Sequence, residues 1–396
     1  MKKEVLDTVW IVGNRTDAIE IAKKNNLRVV LLYNKKLKYH SADNLEQISF
    51  TWNREEWTNF VTELLQKEPK PIAILAPTEK SVVPAAWISS VLDIKHSIPI
   101  QTALACTHKP TMKRVAKKAS ILCADFLENE TGDNKISKQE LVEKLGLPMA
   151  FKTCTGSGSR GAFIVKKEED IPTFLKKGYM AESFVDGTEC SIEAIVQNGK
   201  VLFQNLTEYT EPKFANLVPA TFSTEMQKKI FEFNKKIITA LGAENGITHT
   251  EVFIQNFDLK DITKINLVFG EMALRPPGGY IMELLKLSYQ KDFWQVWLDA
   301  FLGNKIDVAT ISTHFYSGLR LFHPPAGTLK SIKGKEIIKS IPELEEFILS
   351  VKKGSTINQR EGTGQSVGHV VIKGEEGQKI KSLLEEVKQK LIFEME

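Results

Sequence analysis

The chain has 396 residues, 42% of them apolar and 26% charged, with 53 basic side chains against 49 acidic ones and a net charge of +4. That length exceeds one ordinary core and suits two or three packed units, and the composition excludes wholesale disorder. The lysines are scattered among glutamates, as on solvated helix faces, which argues against nucleic acid as a partner.

The start, Met1-Lys2-Lys3-Glu4, is followed by too short an apolar run for a signal peptide. No stretch approaches the ~20 apolar residues that span a bilayer. A cytoplasmic protein with no membrane partner is expected. Within 1–105, the segments Val9–Gly13, Val29–Tyr33 and Ile72–Ala76 read as buried parallel strands, with helical spacing over Asp17–Lys24 and Glu55–Lys67 between them. This βαβ alternation predicts a small doubly wound sheet. The lone Gly13 after the first strand falls short of a dinucleotide fingerprint.

From about 106 the character changes. A basic helix over Lys109–Ala119 and a helix over Gln139–Leu145 lead into candidate strands at 149–154, 162–166, 179–185, 190–196 and 200–208. Their alternation predicts one antiparallel sheet with a covered face. An amphipathic helix over 224–241 follows, then strands at 247–254 and 265–274 split by the polar turn Asn256–Lys264. A helix over 289–302 carries Phe293, Trp294, Trp297, Leu298 and Phe301 toward a core. The tail from 311 holds strands near 317–322 and 367–372 and a charged terminal helix. Cys106, Cys123, Cys154 and Cys190 show no CxxC spacing and read as reduced thiols.

Three segments carry chemistry. The first is Lys152-Thr-Cys-Thr-Gly156-Ser157-Gly158-Ser159-Arg160-Gly161, set between two strands. Glycines here let backbone N–H groups close on an anion with no Cβ in the way, the two serines add hydroxyls, and Lys152 reaches in from the strand end. No Gly-Lys-Ser/Thr is present, so it is not a P-loop. The second is Tyr179-Met-Ala-Glu182-Ser183-Phe184-Val185-Asp-Gly187-Thr-Glu189-Cys-Ser-Ile-Glu193, where polar groups and free backbone at a turn could meet adenine and ribose. The third pairs Thr248-His249-Thr250-Glu251 with Gly270-Glu271-Met-Ala273-Leu-Arg275-Pro-Pro-Gly278-Gly279. Two carboxylates on neighbouring strands suit Mg²⁺, and Arg275 adds a cation near a transferring phosphoryl group. Read blandly, the same segments are a solvent hairpin, an ordinary Asp-Gly turn and two surface ion pairs.

The order Lys109, Lys152 glycine loop, Glu182 to Glu189, Glu251, Glu271 to Arg275 resembles the ATP-grasp superfamily, and looks closest to its carboxylate–amine ligases, the amino-acid and dipeptide ligases among them. Thr78-Glu79 is similar to the helix entry of their N-terminal domain, and Leu319-Arg320 through Gly327-Thr328 to their small C-terminal domain. The resemblance implies an α/β (α+β) chain with the ATP-grasp fold: a doubly wound parallel-sheet domain at 1–105, an ATP-grasp domain at 106–310 with a mobile lid at about 120–185, and a small mixed domain at 311–396. It implies that Lys109, Lys152, Gly156, Ser157, Gly158, Ser159 and Gly161 meet ATP phosphates. Glu182 and the Ser183, Phe184 and Val185 backbone would hold adenine, and Glu189 the ribose. Glu251 and Glu271 would bind Mg²⁺ (Mn²⁺ being the alternative), Arg275 would steady an acyl phosphate, and His249, Arg275, Gly278 and Gly279 would meet substrate. The family's Glu-x-Asn-x-Arg is Glu271-Met-Ala273-Leu-Arg275 here, so one expected magnesium ligand is missing.

The implied activity is ATP-dependent joining of a carboxylate, such as an amino acid, to an amine, with release of ADP and phosphate; a homodimer is compatible with it. A carboxylate–thiol ligase and a non-catalytic nucleotide-binding regulator stay open as alternatives. The segment Thr207–Thr221, with Tyr209, Lys213 and Phe214, reads as a loop that could cover the acceptor.

Overall fold

The computed structural model describes residues 6–35, 41–133, 135–256, 262–360, 362 and 364–396. The extreme start and residues 257–261 of the expected 256–264 turn lie outside that set. Four parallel strands, β1 (Thr8–Val12), β2 (Arg28–Tyr33), β3 (Asn44–Gln47) and β4 (Ala73–Leu75), pair in the order β3-β2-β1-β4. All five residues of β1 are buried, which is why the segment is an unbroken apolar run rather than an alternating one. The helices α1 (Thr16–Lys24), α2 (Arg54–Leu64) and α3 (Val82–Val91) alternate with these strands. Asn53 starts α2 by accepting from the Glu55 and Glu56 N–H groups at 2.9 and 3.0 Å, while Glu56 accepts from Asn53 N. Donors that no earlier turn can satisfy are thereby paired.

Helices α4 (Ile100–Thr107) and α5 (Lys109–Lys118) lead to a second, four-stranded sheet. It contains β5 (Phe126–Asn129), then α6 (Lys138–Leu145), β6 (Met149–Thr153), β7 (Phe163–Val165) and β8 (Tyr179–Ser183), ordered β5-β8-β6-β7. Leu141, Met149, Phe151, Val165 and Leu175 give this unit a core of its own. The chain then enters an eight-stranded sheet through β9 (Thr188–Gln197), β10 (Lys200–Glu211), β11 (Ala215–Val218), β12 (Gly246–Gln255) and β13 (Asn266–Ala273). The single antiparallel sheet expected from 149 to 208 is therefore two sheets. Alternation reports which face of a strand is covered, not which strand it pairs with. The expected loop at 207–221 is also corrected: it is the end of β10, a turn through Lys213 at φ +70°, and β11.

Helix α7 (Thr224–Leu241) is capped by the Ser223 side chain and closes on Gly242 at φ +70°, as its apolar stripe and flanking residues imply. The expected helix over 289–302 is instead α8 (Ile281–Tyr289) followed by α9 (Phe293–Leu302). Gln290 sits at φ +49°, and Asp292 accepts from Trp294 N at 3.0 Å to open the second helix. Helix α9 buries Phe293, Val296, Trp297, Leu298 and Phe301. Truncating Trp297 to alanine removes a contact set worth about 3–5 kcal/mol. The remaining elements are β14 (Tyr316–Leu321), β15 (Gly327–Lys333), α10 (Lys335–Lys339), β16 (Leu344–Leu349), β17 (Thr356–Ile357), β18 (Gly368–Gly374), α11 (Gly377–Lys390) and β19 (Ile392–Met395). The large sheet runs β13-β12-β9-β10-β11-β14-β18-β16, so strands from beyond residue 311 continue it, while β17-β15-β19 form a small separate sheet. Arg320 clamps this join. It is 5% exposed, donates to Leu384 O at 2.7 Å and lies 2.8 Å from Glu211. All four cysteines are free and buried.

Candidate active site

One face of the large sheet is lined with acids. Register places Glu251 on β12 directly opposite Glu271 on β13, and His249 opposite Ala273. On the other side of β12, His249 faces Glu193 and Glu251 faces Ser191. Since side chains alternate, Glu189, Glu193, His249, Glu251 and Glu271 share this face. Glu193 is 2% exposed and fully engaged: it takes Ser191 Oγ at 2.8 Å, Asn205 Nδ2 at 2.7 Å, Thr207 Oγ1 at 2.6 Å and His249 Nδ1 at 2.9 Å. The far nitrogen of His249 lies 3.8 Å from Glu251 Oε1. Burial works against a charged imidazole, but Glu193 and Glu251 outweigh it and raise His249 to about 9. Both carboxylates thus favour the imidazolium form of His249.

The lysines converge from the other side. Burial would raise Glu182, yet Lys152 at 2.6 Å and Lys113 at 3.0 Å hold it at about 2. Lys152 and Glu182 meet because β6 and β8 pair Lys152 with Met180, two residues from Glu182 on the same face. Lys109 opens α5, where His108 caps the helix. Its ammonium donates to Gly156 O at 2.6 Å and stands 3.4 Å from Glu271 Oε2. The glycine loop is thus tied to the helix start, and Lys109 N also donates to Cys154 O at 2.9 Å. Gly156, Gly158 and Gly161 have φ of +119°, +70° and +71°, so the turn itself demands glycine there. Ser159, at φ +57°, shares the left-handed region, while Ser157 O takes Arg160 Nε at 3.4 Å.

The adenine expectation meets a restriction. Ser183 N is committed to Asp125 O and Phe184 N to Pro148 O, at 2.9 and 3.1 Å, whereas Val185 N has no protein acceptor among the described residues. Phe184 is 39% exposed, an apolar surface available to a planar ring.

At the end of β13, Arg275 Nε lies 2.9 Å from Glu79 Oε2 and Nη1 donates to Pro276 O at 3.0 Å. Burial raises Glu79 despite that partner. The Pro276-Pro277 carbonyls are held at 3.1 Å each by Arg15, whose guanidinium stacks 4.3 Å over Trp294. A Cβ at Gly278 would meet open space, and Gly279 is at φ +63°. The sequence offers no sign of Arg15 or Lys113, places Glu193 at the end of the second segment without a role, and marks Glu79 only as a helix entry. No local signal marks these four, because each is defined by a partner far along the chain.

The donor set fits a hard divalent cation. Burial first, then Glu251, raises Glu189 to about 7, with Glu271 adding to the effect and Lys213 opposing it. Carboxylates crowded this closely are short of positive charge, and their oxygens are what Mg²⁺ takes. Glu271 itself is lowered: burial opposes ionisation, but Lys109 and Lys152 prevail.

Comparison with known proteins gives this geometry its context. Residues 114–286 match the ATP-grasp domain and residues 320–396 match the L-amino acid ligase C-terminal domain 2. An L-arginine-specific L-amino acid ligase of Bacillus subtilis is 23% identical over 372 residues, covering 88% of this chain and 86% of that one. A D-alanine–D-alanine ligase of Flavobacterium johnsoniae is 29% identical over 165 residues, covering 37% of this chain and 50% of that one. The crystal structure of an L-amino acid ligase from Bacillus licheniformis superposes with a TM-score of 0.78 at 18% identity over 100% of both chains. The chain therefore carries an ATP-grasp domain over residues 114–286 and an L-amino acid ligase C-terminal domain over 320–396, a pairing consistent with a carboxylate–amine ligase.

Proposed function

We propose that the protein couples an amino acid, through its carboxylate, to the amine of a second small molecule, using ATP and releasing ADP and phosphate. The observation that carries this is Lys109 at 3.4 Å from Glu271, with Lys152 near enough to help keep Glu271 ionised, Glu251 facing Glu271 across β12 and β13, and Arg275 beyond them. A carboxylate oxygen attacks the γ-phosphorus and the bond to ADP breaks. The amine nitrogen then adds to the acyl carbon, phosphate leaves and the nitrogen loses its proton. Lys109, Lys152 and the glycine-loop N–H groups hold and neutralise the phosphates, the step in which positioning and charge do most of the work. Mg²⁺, held by Glu251 and Glu271, would supply the remaining neutralisation of the triphosphate. His249, favoured as imidazolium by Glu193 and Glu251, acts as a fixed cation and not as the base that receives the amine proton. Arg275, anchored by Glu79 and Pro276 O, faces the developing acyl phosphate, and the space beside Gly278 and Gly279 accepts a compact acid.

Glu182 and Glu189 flank the adenosine end on this reading, and residues of about 120–185 act as the lid, within the domain limits 1–105, 106–310 and 311–396. A cytoplasmic setting suits an ATP-consuming ligase, and no helix among the described residues is long and apolar enough to cross a membrane. The test is ADP release across pairs of L-amino acids and other small acids and amines. Stimulation by a particular amino-acid pair, with ADP as product, is the expected result. AMP and pyrophosphate as products would exclude the acyl-phosphate route. ADP formation only with a thiol acceptor would select the thiol-ligase reading, and nucleotide binding with no turnover the regulatory one.

A further inference from the structure

Lys113 is 2% exposed on α5, and none of the ATP contacts above uses it. Its ammonium lies 3.0 Å from Glu182 Oε2 and donates to Gly270 O at 3.4 Å. Lys152 occupies the other oxygen of the same carboxylate at 2.6 Å. One buried carboxylate therefore holds two ammoniums, where a neutral pair needs one. Lys152 is also drawn toward Glu271 and Glu251, so of the two lysines it has other charges to serve. Lys152 is the one free to leave. It is 17% exposed, whereas Lys113 is pinned both to Glu182 and to the Gly270 carbonyl, the residue before Glu271.

We propose that Lys113 is a positioning residue that remains as the counter-ion of Glu182 when Lys152 turns from that carboxylate to the phosphates of ATP. The idea rests on the reading of Lys152 as a phosphate contact. Before ATP arrives, Glu182 carries one negative charge against two positive. Once Lys152 serves the triphosphate, Glu182 and Lys113 remain as a balanced pair, and β8 stays tied to β13 through Gly270 O. With Lys113 neutral, drawing Lys152 to ATP would leave the buried Glu182 carboxylate without a counter-ion. A purely structural Lys113 would lower the melting temperature and leave nucleotide affinity alone.

The experiment is calorimetric titration of the full chain with ATP and Mg²⁺, without acid or amine, with the melting temperature of each variant recorded. Lys113→Gln can still donate to Gly270 O and Glu182 but carries no charge, and should weaken ATP binding about tenfold or more. In a Glu182→Gln background the same substitution should change affinity by no more than about twofold, because its effect acts through the carboxylate. Lys113→Arg, which keeps the charge, should stay within about threefold of wild type and serves as the readable variant if Lys113→Gln does not fold; a tenfold loss there counts against the proposal. An ATP affinity of folded Lys113→Gln within about twofold of wild type overturns it, as does an equal loss with and without Glu182. Wild-type chain that binds no ATP overturns the nucleotide reading itself, an outcome distinct from wild type binding ATP and the Lys113 variants matching it.

Discussion

Arg275→Lys keeps the charge at the end of β13 and removes its fork, which makes it the most discriminating perturbation of the site. In the native chain two of the guanidinium edges are already spent, one on Glu79 Oε2 at 2.9 Å and one on Pro276 O at 3.0 Å. These contacts fix the plane of the group and aim its remaining N–H donors. A lysine has one nitrogen at the end of a flexible stem. If it pairs with Glu79 it cannot also hold the oxygens between carboxyl carbon and phosphorus. Losing one preorganised donor to a developing charge costs about 2.7–4 kcal/mol, or about 10²- to 10³-fold in kcat. The groups proposed to meet ATP at Glu182, Val185 and Glu189 lie on β8, β9 and the connection between them, so the KM for ATP should move by less than about threefold, the signature of an interaction made in the transition state. Glu79 keeps a cation nearby, so the fold should survive, which a melting curve checks. The assay is steady-state ADP release at saturating acid and amine, with each KM measured separately. A lysine variant whose kcat stays within about fivefold of wild type would refute the role given to Arg275.

Three further perturbations test other parts of the argument. Gly156→Val places a branched Cβ where φ is +119° and Thr153 Oγ1 already lies 3.3 Å from an ideal Cβ; ATP KM should rise about tenfold, and unchanged kinetics would reduce the loop to a hairpin tip. Ala273→Asn restores the oxygen ligand that the family pattern supplies, so half-maximal ADP release should need less free Mg²⁺, and Mn²⁺ titrated into the resting protein and followed by EPR should bind more tightly; no change in either measurement counts against a metal at the Glu251–Glu271 pair. His323 is lowered to about 4, by burial first and then by Arg360. The unfolded chain takes a proton near 6.5 that the folded one refuses, so this residue makes stability fall as pH drops from about 6.5 to 4. The full shift corresponds to about 3 kcal/mol, and about half of that after solvent screening. His323→Phe should flatten that part of the melting-temperature profile, and parallel wild-type and variant curves would show that His323 does not carry it.

The sequence revealed most where a function is written in consecutive residues. The glycine loop is legible because three glycines in six residues mark a turn that takes positive φ at 156, 158 and 161, angles that favour glycine. Glu271 and Arg275 are legible because they close one strand beside two prolines and two glycines. Helix α7 is legible to the residue, since Ser223 and Gly242 bracket its apolar stripe. The misses have a common physical cause. Lys113 stands among Lys109, Arg114, Lys117 and Lys118, and nothing local separates the buried one from its solvated neighbours. Arg15 finds Pro276 and Pro277 across 261 and 262 residues, and Arg275 finds Glu79 across 196. Glu193 looks like any polar residue of an alternating strand until β10 and β12 bring it Asn205, Thr207 and His249. The same limit explains the two sheets read as one, because strand alternation is local and strand pairing is not. The break at Gln290–Asp292 was visible in principle: aspartate before an apolar run is a helix start, but the aromatic stripe dominated the reading.

These long-range pairings separate two kinds of charge in the cleft. Glu193 is saturated by the protein itself, by a histidine and three polar side chains, and Glu182 is charge-paired by two lysines. Glu251 and Glu271 are not balanced in this way: Glu271 has Lys109 at 3.4 Å, while Glu251 has His249 at 3.8 Å and drives Glu189 upward. A fold that needed these carboxylates only for stability would gain by pairing or neutralising them, since crowded like charges weaken the compact state. Their incomplete pairing makes sense when further positive charge arrives with the substrate, as it does when a triphosphate is carried by a divalent cation. The groups already saturated hold the geometry in the resting chain. Those left short of a partner, Glu251 and Glu271, are the ones proposed to bind, Arg275 is held by Glu79 and Pro276 O and offers only its remaining donors, and the proposed positioning roles fall on Glu193, Lys113 and Arg15.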